Sequence, residues 1–493
     1  MEREDVLTSE LGTPKAPFGD VPVFTPPRGA RRTKQARGLA AVLLLARDIL
    51  STFSANAYQR RISHWRLLGR DLIVPNEPDL VREALVDRHD ALQRKTPQMR
   101  RGLQPLLGDG LFVSDGETWK TRRAAVAPII HGRHQARFFP VMLETSLEWR
   151  DHWEAKKVGE PIDVLAEMGC LTAEIISRTI FGRQLGRPQT GRIIKGFARY
   201  QRHVDQLALA DMLRLPAFVP RWQNPLAHLA IREIHAVIDG IIDEYLAGKA
   251  DATTAPGGEE PLIASLFRAR DREGRPFDRA AVRNEAITIF MAGHETTANT
   301  LAWAFYLLSQ ADWARQRLHR ELESQLSDST PSAAEVQRLV YTRAVIEETL
   351  RLYPPVPILG REAVEPTRIA DTDVAEGSLV LVAPWLLHRN AKLWPRPDDF
   401  VPERFLPGKP RPSKHQYVPF AVGPRICPGM AFGLLEATLC LAVLAQRFDL
   451  VLEANTDVRP LSRLTLRPGH RLPMRLYRRA GVAVRPGADP LAS

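Results

Sequence analysis

One cysteine lies in a loop whose residues could prepare a thiol for metal binding. The stretch FAVGPRICPGMAFG, Phe420 to Gly433, contains Cys427, one of three cysteines in the chain. A Pro-Gly pair follows the thiol, and the apolar stretch after it predicts a buried helix. The free N–H groups and positive dipole end of a helix N-terminus favour a thiolate. A shielded thiolate with one cation nearby, Arg425, is typical of a metal ligand rather than of an exposed nucleophile.

The alternative for any single cysteine is a buried structural residue, and Cys440, inside the apolar helix, fits that alternative. Around Cys427 the pattern F-x-x-G-x-R-x-C-x-G is matched at every required position. This stretch resembles the haem-binding loop of the cytochrome P-450 family, the haem-thiolate monooxygenases, in which a thiolate ligates haem iron. The resemblance implies haem b as cofactor and Cys427 as iron ligand, with Phe420, Arg425 and Gly429 completing the loop.

A second segment with potential chemistry interrupts the apolar stretch from Asp278 to Gln310. This stretch predicts a helix ~50 Å long, with Asp278 as its N-cap. Glycine, an acid and two threonines are poor residues for a buried helix, which indicates a functional site. The motif A-G-x-E-T-T resembles the family's oxygen-activating segment. The resemblance implies that Gly293 opens space for dioxygen, Thr296 hydrogen-bonds dioxygen and water, and Glu295 relays protons from solvent.

Haem carries two propionates, and several cations match the family's propionate contacts. The stretch DGETWKTRR places Trp119 and Arg123 at W-x-x-x-R spacing. Indole N–H and guanidinium groups both donate to carboxylates. For any lone arginine a solvated surface position is the alternative. The resemblance implies that Trp119, Arg123, Arg361 and Arg425 bind the propionates.

A third motif indicates structure rather than chemistry. In EETLRLYPPVP, Glu348 and Arg351 are three residues apart, which places them on one face of a helix. The segment FVPERF adds Arg404. The alternative is a surface pair of little energetic value. In the resembled family the three groups form a buried network beneath the haem.

The composition of the chain excludes several classes of protein. With 44% hydrophobic and 25% charged residues, the 493-residue chain has the composition of a globular protein. Three irregularly spaced cysteines argue against a disulfide framework, a four-cysteine cluster or a zinc ribbon, and they suit a reducing compartment. The net charge of +11 raises the question of nucleic acid, but no nucleic-acid-binding motif accompanies it. An acidic protein partner is the preferred explanation.

The order of patterns predicts one mainly α domain with a small β region. Residues 1–36 are Pro-rich and aperiodic and predict a loosely ordered leader, whereas 37–493 predict a single domain. The apolar run Leu39 to Ala46 is too short to span a membrane and predicts a packed amphipathic helix, with a membrane-surface helix as the alternative. The N-terminus has no secretory signal, so a cytoplasmic protein is expected.

Local signals place further elements. GRDLIVPN and GSLVLVAP predict strands, and MLETSLEWRDHWEAKK predicts a helix. A flexible break is expected over Ala250 to Pro261. The resemblance runs from Leu39 to Leu476 and implies the triangular, mainly helical prism of the cytochrome P-450 fold.

The resemblance implies a monooxygenase that hydroxylates an apolar small molecule with dioxygen and two external electrons, and the expected substrate is a terpenoid or fatty-acyl compound. A ferredoxin with its reductase is the expected electron donor, with a flavodoxin as the alternative. Two other functions stay open: a hydrogen-peroxide-driven peroxygenase and a haem-thiolate gas sensor. The residues expected to line the pocket are Ile289, Phe290, Ala292, Pro357, Ile358, Leu359, Leu464 and Thr465, with others from about 95–110 and 195–225.

A basic surface near the cysteine loop is the expected docking site for an acidic ferredoxin. Electrons must reach the iron from the side of Cys427. Arg122, Lys409, Arg411 and Lys414 are the predicted exposed cations of this surface. Their alternative role is to keep the surface solvated.

Overall fold

The computed structural model describes residues 18–29, 31–33, 44, 48–67, 69–131, 135–182, 187–203, 224–247, 260–326, 330–462 and 464–479. Numbered in chain order, its helices are α1 Pro78–Arg82, α2 Pro97–Leu107, α3 Gly116–Ile130, α4 Gln135–Glu154, α5 Val164–Phe181, α6 Arg187–His203, α7 Pro225–Leu246, α8 Leu262–Arg268, α9 Arg279–Gln310, α10 Asp312–Gln325, α11 Ala333–Arg338, α12 Val340–Leu352, α13 Pro384–Leu387 and α14 Met430–Arg447. The predicted amphipathic run Leu39 to Ala46 and the predicted break Ala250 to Pro261 lie almost wholly outside the described residues.

The strands form a small β region, as the sequence predicts. They are β1 Ile62–Leu67, β2 Arg70–Pro75, β3 Pro161–Asp163, β4 Leu359–Glu362, β5 Thr367–Ile369, β6 Thr372–Val374, β7 Leu379–Val382, β8 Phe448–Leu452, β9 Leu461–Ser462, β10 Leu466–Arg467 and β11 Pro473–Arg478. A four-stranded sheet has the order β1-β2-β7-β4, and only the β2–β7 pair in it is parallel. A three-stranded antiparallel sheet has the order β3-β11-β8. The two predicted strands correspond to β2 and β7.

Helix α9 crosses the interior and is the scaffold of the site. Its N-cap is Asp278, whose carboxylate accepts a hydrogen bond from the Ala281 amide at 2.7 Å, as predicted. The helix packs against α5, α12 and α14 and is buried along most of its length. Because apolar residues surround it on all sides, the polar residues in its middle must face protein partners or an internal cavity.

Helix α14 follows the cysteine loop directly. By length and composition it is the one helix of the described residues that could cross a membrane, but 67% of it is buried inside the protein. It packs against α4, α9 and α12. Its apolar character is therefore used in the core.

The network of the E-x-x-R motif ties α12 to the segment before the cysteine loop. Arg351 donates to both carboxylate oxygens of Glu348, at 2.7 and 2.8 Å, and both side chains are fully buried. The Glu348 carboxylate also accepts from Arg404 at 3.3 Å and from the Val401 amide at 2.8 Å. Arg351 also donates to the carbonyl of His388 at 2.8 Å. The predicted buried three-residue network is confirmed.

Within the predicted leader, the described residues 18–29 and 31–33 make contacts with the body of the protein. The carbonyl of Phe24 accepts a hydrogen bond from the Phe400 amide at 2.9 Å. The hydroxyl of Tyr353 donates to the Pro27 carbonyl at 2.6 Å. Aperiodic, Pro-rich sequence cannot reveal such contacts, because this segment is held by distant residues rather than by its own secondary structure.

Candidate active site

One internal cavity of about 290 Å³ brings the predicted chemical residues together. Residues from the cysteine loop, α2, α3, α9, α14 and β4 line it. The predicted residues that it includes are Cys427, Phe420, Gly429, Trp119, Arg123, Arg361, Arg425, Gly293, Glu295 and Thr296. The sequence motifs therefore converge on one site although they are far apart along the chain.

The cysteine loop is held by its own backbone. The Cys427 amide donates to the Phe420 carbonyl at 2.9 Å, which closes the loop on itself. Gly423 has a φ of +75°, and a Cβ at this position would stand 2.3 Å from the Leu85 carbonyl oxygen. A side chain is excluded there both by the left-handed backbone and by the contact. Gly423 thus fixes the loop against the turn that follows α1.

The thiol of Cys427 has accessible surface towards the cavity but is enclosed by protein. Burial raises the pKa of the Cys427 thiol, while a hydrogen bond from the Gly429 backbone and the charges of Arg123 and Lys95 lower it. The net direction is opposite to that expected from the helix N-terminus alone. A bound metal cation would supply the missing stabilisation, since a coordinating thiol loses its proton.

The other interior thiol is in different surroundings. Cys440 lies in α14 and is fully buried, and its sulfur is 3.4 Å from the hydroxyl oxygen of Ser146. Burial raises the pKa of the Cys440 thiol well above its usual range. Among the described residues that line the cavity, α14 contributes Phe432, Gly433 and Ala437 but not Cys440. The geometry therefore favours Cys427 as the thiol that can reach a ligand in the cavity.

Four cations and an indole line the same cavity: Lys95, Arg123, Arg361, Arg425 and Trp119. Arg425 lies over the Trp119 ring, 4.3 Å from its centroid, and donates to the Ser114 carbonyl at 2.9 Å. Burial and the charge of Arg361 lower the pKa of Arg425 to about 9. Burial lowers the pKa of Arg361 to about 10. These groups are close enough together to repel one another in a poorly hydrated interior.

Sequence reasoning missed the fourth cation, Lys95. Burial and the charges of Arg361 and Arg425 lower the pKa of Lys95 well below its usual range. Its ammonium group lies 4.6 Å from the centroid of the Phe112 ring. The only available signal was its place in the range 95–110, from which unknown pocket residues were expected.

This arrangement fits a haem. Clustered buried cations are stabilised by a ligand that brings carboxylates, and haem has two propionates. The Nε atom of Arg425 is buried and has no hydrogen-bond partner among the described residues. The apolar wall suits a porphyrin face, and Cys427 has a sulfur that could ligate iron. The residues present therefore match the group chemically.

The acid and the alcohol of α9 both border the cavity, but their contacts differ. Thr296 donates its hydroxyl proton to the Ala292 carbonyl at 2.7 Å. Glu295 is buried and accepts hydrogen bonds from Thr465 and Gln201, each at 2.6 Å, and from Arg467. The Arg467 side chain is 28% exposed. The Glu295 carboxylate is therefore connected to the protein surface through its ion pair.

Gly293 has a packing role in the contact between two helices. A Cβ at this position would stand 2.9 Å from Cγ1 and Cδ1 of Ile176 in α5. The missing side chain therefore lets α5 approach α9. Both Gly293 and Ile176 border the cavity. Its predicted role in admitting dioxygen stays a prediction.

A second acid behind the cavity wall also escaped sequence reasoning. Glu436 in α14 is fully buried. Burial raises the pKa of Glu436 to about 8, and the hydroxyl of Thr297 acts against that rise. Burial thus favours the uncharged form of this acid and opposes a negative charge on the α14 side of the wall. An acid in an otherwise apolar helix was the available signal.

Two groups of predictions need correction. Arg122 is buried rather than exposed, because it pairs with Asp109 at 2.9 Å and lies 3.6 Å from Glu285.

Among the residues predicted to line the pocket, Phe290 lies between α6, α7 and α9, where it borders a separate small gap. Pro357 is not among the described residues that line the main cavity, and residues 204–223 lie outside the described part of the chain. The other six predicted lining residues are confirmed as part of the wall: Ile289, Ala292, Ile358, Leu359, Leu464 and Thr465.

Comparisons with known proteins show which family this chain resembles. The sequence model of the family described as cytochrome P450 matches residues 43–472. The chain is 32% identical over 434 residues to a cyclooctatin synthase of Streptomyces melanosporofaciens, covering 87% of this chain and 91% of that protein. It is 27% identical over 413 residues to a cytokinin hydroxylase of Arabidopsis thaliana, covering 83% of this chain and 79% of that protein.

A solved structure supports the same assignment. The crystal structure of the cytochrome P450DA haem domain superposes with a TM-score of 0.77 at 25% identity, and the match covers 91% of this chain and 97% of that one. The predicted fold and the haem cofactor are thereby confirmed, and the protein is a haem-dependent monooxygenase. The match over most of its length and the cavity that joins a cysteine loop to a cation set show that the chain belongs to the cytochrome P-450 family.

Proposed function

We propose that this monooxygenase hydroxylates an apolar small molecule of terpenoid or fatty-acyl type in the cytoplasm, with two electrons from a separate ferredoxin and its reductase. The single observation that carries the proposal is the shared cavity, in which Cys427, the cation set and Thr296 border one apolar wall. The reaction consumes dioxygen, two electrons and two protons, and yields one C–OH group and one water.

Each group has a role in this proposal. Cys427 ligates the haem iron, and Trp119, Arg123, Arg361, Arg425 and Lys95 bind the propionates. Phe420 shields the sulfur, and Gly429 donates its backbone hydrogen bond to it. Haem with a thiolate ligand supplies the activation of dioxygen and the transfer of one oxygen atom.

The chain's own residues on the distal side handle protons. The Thr296 hydroxyl can donate its proton to a group in the cavity and can then receive another proton from a neighbouring donor. Glu295, joined to the partly exposed Arg467, provides the link from solvent. Apolar side chains such as Ile289, Ile358 and Leu464 bind the substrate and exclude water. The cavity is therefore polar where protons move and apolar where a hydrocarbon would lie.

Oxygen consumption with surrogate redox partners tests the function. The purified protein, an acidic ferredoxin, its reductase and a reduced nicotinamide are mixed with candidate substrates chosen by the low-to-high-spin optical change. We expect oxygen uptake and a hydroxylated product. Product formed only from hydrogen peroxide would favour the peroxygenase, and binding of gas without turnover would favour the sensor.

We expect Thr296→Ala to uncouple electron consumption from hydroxylation. Haem content and substrate affinity should survive, because the hydroxyl hydrogen-bonds within its own helix and supports no other element. Product formed per electron pair should fall by about tenfold or more, since positioned proton transfer typically contributes ~10²–10⁴-fold. The measurement is hydrogen peroxide released against product formed.

Thr300→Ala is the matched control for that variant. Thr300 also donates to a carbonyl four residues earlier, that of Thr296, at 2.9 Å. Unchanged coupling in Thr296→Ala would move the proton role to Thr297 or to ordered water.

A second expected result concerns electron delivery. Lys409, Arg411 and Lys414 are exposed on the segment that leads to the cysteine loop, and Arg411 pairs with Glu347 at 3.3 Å. Charge reversal of all three should slow reduction by an acidic ferredoxin roughly tenfold or more at low salt, because steering accelerates association by ~10–10³. Stopped-flow reduction at several ionic strengths measures the effect.

Reversal of Arg459, Arg471 and Arg475 is the matched control, since it makes the same charge change around the three-stranded sheet. Substrate binding and peroxide-driven turnover should stay unchanged in both triple variants. If the two triple variants slow reduction equally, the effect is due to net charge. If the reduction rate does not depend on salt, the docking surface lies elsewhere.

A further inference from the structure

A buried histidine joins the E-x-x-R network to the cysteine loop. His388 is fully buried between Tyr417 and Trp394, with ring centroids 5.3 and 6.2 Å from its own. The Val418 amide donates to its Nε2 at 2.9 Å. Its Nδ1 lies 3.2 Å from the carbonyl oxygen of Arg351. Both ring nitrogens are therefore used by the backbone of other segments.

These two partners determine which ring nitrogen carries the proton. A backbone amide can only donate, so Nε2 of His388 must accept and carries no hydrogen. A neutral imidazole then has its hydrogen on Nδ1, which can donate to the Arg351 carbonyl. Burial and the charge of Arg351 lower the pKa of His388 well below its usual range, which agrees with a neutral ring.

Three successive hydrogen bonds lead from this ring to the cysteine. Nε2 of His388 holds the Val418 amide, and the Val418 carbonyl accepts from the Ala421 amide at 3.1 Å. The Phe420 carbonyl in the same turn accepts from the Cys427 amide at 2.9 Å. The position of the Cys427 backbone therefore depends on a turn whose first amide is held by His388.

We propose that His388 is a positioning residue for the thiolate: its imidazole fastens the first turn of the cysteine loop to the helix that carries Arg351. The inference rests on the proposed role of Cys427 as the iron ligand. In this arrangement the buried Glu348–Arg351 pair acts on the metal site through His388 as well as through packing. Loss of the Nε2 acceptor frees the Val418 amide and lets the loop move away from the iron, whereas loss of the Nδ1 donor affects only α12.

Two amide substitutions separate these contacts. In His388→Gln the side-chain oxygen can reach the place of Nε2 and accept from Val418. In His388→Asn the amide nitrogen can replace Nδ1, but the side chain is too short to reach Val418. His388→Phe keeps the aromatic ring and loses both hydrogen bonds.

The readout is the rate at which the reduced carbon-monoxide complex of the full-length holoprotein converts from the thiolate to the non-thiolate Soret band in mild denaturant. We expect His388→Gln to convert at nearly the wild-type rate. His388→Asn and His388→Phe should convert roughly tenfold faster, the factor that one lost buried hydrogen bond typically produces. The midpoint of chemical unfolding, measured on the same samples, should differ little between His388→Gln and His388→Asn because each keeps one of the two bonds.

Equal conversion rates for His388→Gln and His388→Asn, or a wild-type rate for His388→Phe, would overturn the positioning role. If His388→Phe does not fold, the comparison of His388→Gln with His388→Asn still decides. A wild-type protein without the thiolate band would instead overturn the proposed role of Cys427, and the inference with it.

Discussion

Cys427→Ser should abolish monooxygenation and remove the red-shifted Soret band of the reduced carbon-monoxide complex. A serine hydroxyl is a far poorer donor to iron than a thiolate, and the thiolate's electron donation favours O–O cleavage. Haem should still bind, because the cations and Trp119 that line the cavity are unchanged. The spectrum of the reduced complex and the haem content of the purified variant are the two measurements.

Cys440→Ala is the matched control. Its sulfur contacts Ser146 in the core, and its replacement should keep the thiolate band while costing some stability through a small cavity. If Cys440→Ala lost the band and Cys427→Ser kept it, the iron ligand would be the core thiol and the cysteine loop would have another purpose.

The conformation of the cysteine loop could be predicted in part from sequence, because some of its determinants are local. Cys427 and Gly429 make backbone hydrogen bonds within one loop, whereas Gly423 is needed for its close approach to Leu85 in a distant segment. Local spacing also explains Glu348 and Arg351, which meet because they are one helical turn apart. Such short-range patterns carry both the identity and the position of the groups.

Residues whose roles depend on distant partners could not be predicted in this way. Arg122 looked like a surface cation, but Asp109 from a loop pairs with it and Glu285 from α9 lies against it, so that it is buried. Lys95 has no distinguishing neighbours in sequence and joins the cation cluster only when β4 brings Arg361 beside it. Burial of a charge is decided by the whole fold, and a single sequence does not state which segments will meet.

The same limit applies to the proton-bearing groups. The sequence predicts an acid next to an alcohol in α9, yet the contacts of the two side chains come from elsewhere. Glu295 is held by Gln201 of α6 and by Thr465 and Arg467 near the C-terminus. The local motif therefore supplies the chemical groups, and tertiary contacts decide which of them is connected to solvent.

Arg351→Leu should have the largest effect on stability of any single change in the E-x-x-R network. It leaves the Glu348 carboxylate charged in the interior with Arg404 as its remaining cation, and it also removes the donor to the carbonyls of His388, Pro397 and Asp399. Removing one partner of a buried pair costs about 3–5 kcal/mol, a large part of the stability of an ordinary domain. We expect little folded holoprotein, measured by haem content and by chemical unfolding.

Lys120→Ala provides the contrast, because Lys120 and Glu117 form an exposed pair of the same three-residue spacing, at 2.6 Å. An exposed pair contributes only about 0–1 kcal/mol, so the short distance by itself predicts nothing about stability.

Glu348→Gln distinguishes charge from shape. The new amide oxygen can still accept from the Val401 amide, but Arg351 loses its carboxylate partner. If Glu348→Gln lowers the unfolding free energy nearly as much as Arg351→Leu does, the buried charges dominate. If it lowers the unfolding free energy only slightly, the hydrogen bonds to the backbone hold the segment. An unfolding free energy within 1 kcal/mol of wild type for Arg351→Leu would contradict both accounts and would mean that packing alone holds the segment before the cysteine loop.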